Sequence, residues 1–159
     1  MHSLSQADLS IWPMSGGSEV QARSEIMLKG TRTGAILDGA VLEAALSWHE
    51  YIIVFLTDDV PYEDTLRIYL LDANLCIVDS ASLGAMYSTG AFRDLQVVQS
   101  DTVRFRFIGD VTWTLRLFDK RTLALPVLFD PVGVRRPFRF YRHFALTPSS
   151  GTRKEAAKL

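Results

Sequence analysis

The sequence predicts a mainly β fold: one domain, an antiparallel β-sandwich or flattened barrel of about eight strands joined by meander hairpins. Two observations carry this. Apolar and polar residues alternate with period two along most of the chain, with Gly, Pro, Asp and Asn breaking the runs. One run, Tyr51 to Thr57, is apolar on both faces, as a central strand covered from both sides must be. The chain's 159 residues, 48% of them apolar, suit one domain with a core that needs neither disulfide nor metal.

Taken in order, Met1 to Gly30 reads as a loosely ordered lead-in, with Ile11, Trp12 and Met14 as a short anchor. The β domain is expected over Thr31 to Leu146. Gly39 to Trp48 fits a helix by its Ala, Leu and Glu content, but also alternates, with Leu42, Ala44, Leu46 and Trp48 on one side. A strand is preferred because its neighbours are strands. After Tyr51 to Thr57 an acidic turn leads to Thr65 to Leu71, with Leu66, Ile68 and Leu70 inward. Asp72 to Asn74 turns the chain into a short strand, Leu75 to Val78, which holds Cys76 as a buried thiol.

Phe92 to Gln99, Thr102 to Ile108 and Val111 to Phe118 form a predicted three-strand meander. Its register follows from burial. A two-residue turn at Gly109-Asp110 would set Phe105 opposite Thr114, mixing the apolar and polar faces. A three-residue turn, Ile108 to Asp110, sets Phe105 opposite Trp113 and Phe107 opposite Val111, with Asp110 left-handed. The same parity sets Leu95 and Val97 against Phe105 and Val103. The outer face then carries Arg104, Arg106 and Arg116 among threonines. Pro126 to Pro137 is a loop. Pro137 opens a last strand whose Phe138, Phe140 and Phe144 face the core. Thr147 to Leu159 reads as a disordered polar tail.

The net charge of −1 hides a division. Met1 to Val103 holds 5 basic and 14 acidic residues, whereas Arg104 to Leu159 holds 12 basic and 4 acidic. Either the two halves pack with charges facing, or a bipolar surface meets an acidic partner or a second copy. Gly133 to Phe144 interleaves Arg135, Arg136, Arg139 and Arg142 with aromatic residues. Together with Arg104, Arg106 and Arg116 these form the candidate partner-binding set. Nucleic acid is disfavoured, because the pI is near 6.3 and the phenylalanines are assigned to the core.

No catalytic or metal motif stands out. Asp58, Asp59, Glu63 and Asp64 form an acidic loop whose spacing matches no calcium loop. His2, His49 and His143 share no ligand spacing with one another or with Cys76. No metal, cofactor or catalytic residue is therefore expected. One cysteine, no secretory signal and no apolar run long enough to span a bilayer predict a cytoplasmic protein away from membranes. The favoured function is a non-enzymatic module that binds a protein partner or itself. The alternative is a small-molecule carrier whose barrel cavity is lined by Trp48, Phe55, Phe105, Phe107 and Trp113. An enzyme built on the acidic loop ranks last.

Overall fold

A computed structural model of the chain describes residues 1–14, 21–60, 64–84, 90–109, 111–123 and 130–150. They form thirteen strands: β1 (His2–Ser3), β2 (Leu9–Met14), β3 (Arg23–Leu28), β4 (Thr31–Asp38), β5 (Val41–Trp48), β6 (Tyr51–Thr57), β7 (Leu66–Leu71), β8 (Ile77–Leu83), β9 (Arg93–Gln99), β10 (Thr102–Arg106), β11 (Val111–Leu123), β12 (Val134–Arg135) and β13 (Tyr141–Ser150). All pairings are antiparallel. A six-stranded sheet runs β1-β5-β6-β7-β8-β12, a four-stranded sheet β13-β11-β10-β9, and a three-stranded sheet β2-β3-β4. Among the described residues no helix is long and apolar enough to cross a membrane.

The six-stranded sheet is the middle layer. One face carries Leu46, Ile53, Phe55, Ile68 and Leu70 into a core shared with Val103, Phe105, Trp113 and Leu115 of the four-stranded sheet. The opposite face carries Ala45, Val54, Leu56 and Leu71 into a second core with Leu9, Ile26 and Leu37 of the three-stranded sheet. The two-sided apolar pattern of Tyr51 to Thr57 is explained: β6 contributes Ile53 and Phe55 to one core, Val54 and Leu56 to the other. Burying each such side chain contributes about 1.5–3 kcal/mol.

The mainly β, antiparallel reading holds; in place of one sandwich or flattened barrel of about eight strands, the described residues form thirteen strands in three sheets. The difference arises in the segment Met1 to Gly30, expected to be loosely ordered. It carries β1, β2 and β3, because Leu9, Ile26 and the partly buried Ile11 supply the apolar face that covers the middle sheet. Trp12 and Met14 do not anchor there; their side chains stay exposed. Within the expected tail, Thr147 to Ser150 extend β13 and pair with Val111 to Thr114; residues 151–159 lie outside the described set.

Gly39 to Trp48 is strand, as preferred, with one correction. A bulge between Leu42 and Ala44 reverses the facing, so Leu42 joins the core opposite to that of Leu46 and Trp48. The predicted meander is present, and Phe105 pairs with Trp113 and Val103 with Leu115. Ile108 (φ 64°) and Gly109 (φ 60°) take the left-handed conformations of the turn; Asp110 lies outside the described residues. Val97 meets Val103, but a bulge around Asp94 (φ 57°) replaces the Leu95–Phe105 pair, and Val97 and Val98 are both exposed on the edge strand β9. The turn after β7 runs through Cys76, because Asp72 Oδ1 accepts hydrogen bonds from the amides of Asn74 and Cys76, each at 2.9 Å. Cys76 is therefore exposed, not buried in a strand.

Candidate functional site

The largest departure from the sequence reading falls on the arginine-rich segment. Pro137 does not open the last strand; β13 begins at Tyr141. Phe144 enters the core, but Phe138 is 69% and Phe140 60% exposed. Their rings pack edge to face, 5.2 Å apart between centroids. Nearby, the Arg121 guanidinium lies 4.4 Å over the ring of Tyr141, itself exposed.

The cause is a buried ion cluster. Asp79 of β8 is fully buried, on the same side of its strand as Ala81 and Leu83. Its Oδ1 lies 3.5 Å from Arg136 Nη1 and 3.8 Å from Arg142 Nη1. Its two oxygens also accept the amides of Ser80 and His143, each at 2.8 Å. Asp130 Oδ1 accepts from Arg136 Nε at 2.9 Å, and Oδ2 lies 3.9 Å from Arg142 Nη2. Arg136 also donates to the carbonyl of Phe144 and lies over that ring, while Arg142 donates to the carbonyl of Pro137. Burial pushes the Arg136 guanidinium below its usual pKa; Asp79 and then Asp130 oppose the shift. Two arginines and two aspartates thus balance in the interior and turn residues 130–140 back onto the body, leaving the phenylalanines outside.

The partner-binding candidates separate accordingly. Arg136 and Arg142 have side chains only 1% and 5% exposed, so a partner cannot reach their guanidinium groups. Arg135 and Arg139 are exposed, with Arg139 donating to the Val78 carbonyl. Arg104, Arg106 and Arg116 lie across from Thr114, Thr112 and Thr102, as the alternation required. Arg106 faces Asp94 at 3.7 Å and Arg116 faces Asp101 at 3.5 Å. Arg104 has no charged partner among the described residues. Facing of the two halves therefore accounts for some charges, through Arg106, Arg116, Arg136 and Arg142. The sequence reading missed Arg121.

In the acidic loop, Asp58 takes both Arg67 Nε and Nη2 at 2.8 Å, a bidentate pair. Asp64 Oδ1 accepts the Asp58 amide at 3.0 Å, and burial raises the Asp64 carboxyl above its usual pKa. Asp59 is exposed at φ 55°. Glu63 lies outside the described residues. Among the described residues no group of three or more His, Cys, Asp or Glu is placed to hold a metal. The aromatic residues assigned to a carrier cavity are buried together in one core, with Phe55 and Phe105 edge to face at 5.5 Å.

Comparison with known proteins returned no matching family model, no matching curated protein and no matching solved structure. The chain is thus characterised by what its own residues show: a mainly β, antiparallel, multi-sheet structure displaying charged and aromatic side chains.

Proposed function

We propose that this protein is a non-enzymatic protein-binding or assembly module, and that its contact surface is the arginine–aromatic segment Arg135 to Tyr141 with Arg121. The single observation that carries the reading is the exposed Phe138–Phe140 pair beside exposed arginines. Exposed aromatic rings gain about 1.5–3 kcal/mol each when a partner covers them. Phenylalanine, tyrosine and arginine are also enriched in protein interfaces. The surrounding guanidinium groups of Arg121, Arg135 and Arg139 favour an acidic partner, and Arg104, Arg106 and Arg116 extend the basic character onto the outer face of the four-stranded sheet. The acidic half of a second copy is one such partner. The exposed thiol of Cys76 fits a reducing compartment such as the cytoplasm.

The exposure of Phe138 and Phe140 also removes the sequence-level objection to base stacking. A chain of net charge −1 still favours a protein over a polyanion. Quantitative co-purification from the native cell, with and without nuclease, tests both points. The reading expects defined protein partners that resist nuclease and are lost from the Phe138→Ser/Phe140→Ser double variant. Partners unchanged by the double variant, or lost on nuclease treatment, would contradict it.

A further inference from the structure

On the face of the middle sheet away from the four-stranded sheet, strands β7, β8 and β12 place Arg67, Ser82 and Arg135 side by side: Arg67 pairs with Ser82 and Ser82 with Arg135. The next row pairs Tyr69 with Ser80. The three-stranded sheet ends beside this row, and Asp38 closes the far wall. The result is an open cleft of about 330 Å³ that shares Arg135 and Pro137 with the proposed contact segment, while neither Phe138 nor Phe140 lines it. A cleft of that volume accommodates a small ligand.

The charges around it are mostly neutralised. Arg67 is held by Asp58, Asp38 lies 3.3 Å from Arg23, and Arg136 belongs to the buried cluster. The Tyr69 hydroxyl donates to the Asp38 carbonyl at 3.0 Å. Among the described residues two polar side-chain groups on the cleft wall make neither a hydrogen bond nor an ion pair: the Arg135 guanidinium and the Ser80 hydroxyl. The Ser82 hydroxyl has only a long bond, 3.5 Å, to the Arg135 carbonyl. One unpaired cation with hydroxyls beside it matches a single negative charge. A second charge would meet Asp38. Ile77 and Pro137 add apolar wall.

We infer that this cleft binds a carboxylate carried on a short apolar group, with Arg135 as its cationic clamp and the Ser80 and Ser82 hydroxyls as further donors. A planar carboxylate accepts two parallel guanidinium bonds, and these are stronger than neutral hydrogen bonds. Such a group comes either from a small organic acid or from an acidic end of a polypeptide.

Amide chemical shifts of the whole chain, followed during titration with hexanoate, hexanol and hexyl phosphate, test the inference. An N-acetylated peptide ending in a leucine carboxylate, and the same peptide amidated, form the polypeptide arm. Hexanoate, the free-acid peptide or both should shift Ser80, Ser82 and Arg135 saturably, more tightly than hexyl phosphate. Hexanol and the amidated peptide should not. Which of the two carboxylates binds identifies the source. Arg135→Gln should weaken the binding about tenfold or more. No saturable shift with either carboxylate, equal binding of hexanol or hexyl phosphate, or unchanged binding in Arg135→Gln overturns the inference.

Discussion

Asp79 is the residue on which the surface depends. Replacing it with alanine leaves the two buried guanidinium groups of Arg136 and Arg142 with only the Asp130 carboxylate between them. Asp79→Ala should therefore lower unfolding stability by about 3–5 kcal/mol, read by urea denaturation. A change below about 1 kcal/mol, the size of an exposed pair, would contradict the cluster's role. His143 gives a pH signature. Burial holds its imidazole below the ordinary 6.5; Asp79 opposes the shift, and Arg121 and Arg139 add to it. The unfolded chain thus takes up this proton first. Stability is intact above pH 6.5 and declines as pH falls from there towards the folded pKa. In His143→Gln this decline just below pH 6.5 should disappear. The acid loss from Glu25 and Asp101 should stay, because their hydrogen bonds to Arg32 and Thr102 depress both carboxyls.

At the scale of elements, turn chemistry can be tested where two residues close a hairpin. Lys29 (φ 49°) and Gly30 (φ 77°) join β3 to β4, and both are left-handed, as a type I′ turn requires. Lysine is a poor choice for the first position and asparagine a good one. Lys29→Asn should raise stability by about 0.5–1 kcal/mol in thermal or urea unfolding. The meander was legible for a related reason: only one turn parity keeps Phe105, Trp113 and Leu115 on a common face, and β10 and β11 adopt it. The bulges at Glu43 and Asp94 were not legible, since neither position carries a glycine or proline to mark it. The ion cluster was half legible. In β13 the parity that sends Phe144 and Leu146 inward also sends Arg142 inward, and the parity of Ala81 and Leu83 sends Asp79 inward. Opposite charges at inward positions of two strands predict a buried pair. Treating every arginine as outward hid the pair, and with it the exposure of Phe138 and Phe140.

The described residues build a middle sheet covered on both faces, and this differs from the predicted sandwich or flattened barrel because the N-terminal strands supply a third layer. A long-range charge division was visible in the sequence, but a charge count does not say which arginines reach solvent. The structure withdraws Arg136 and Arg142 and leaves Arg104, Arg135 and Arg139 outside. If Phe138 and Phe140 serve contact rather than the core, Phe138→Ser/Phe140→Ser should change stability by no more than about 0.5 kcal/mol. Their use as core would instead cost about 3 kcal/mol or more on unfolding. The most direct measurement is photo-crosslinking in the native cell from a benzophenone amino acid at position 140, with and without Arg139→Glu. The proposed contact surface predicts discrete protein adducts that weaken on charge reversal at Arg139. No adducts from position 140, or adducts indifferent to that reversal, would contradict it.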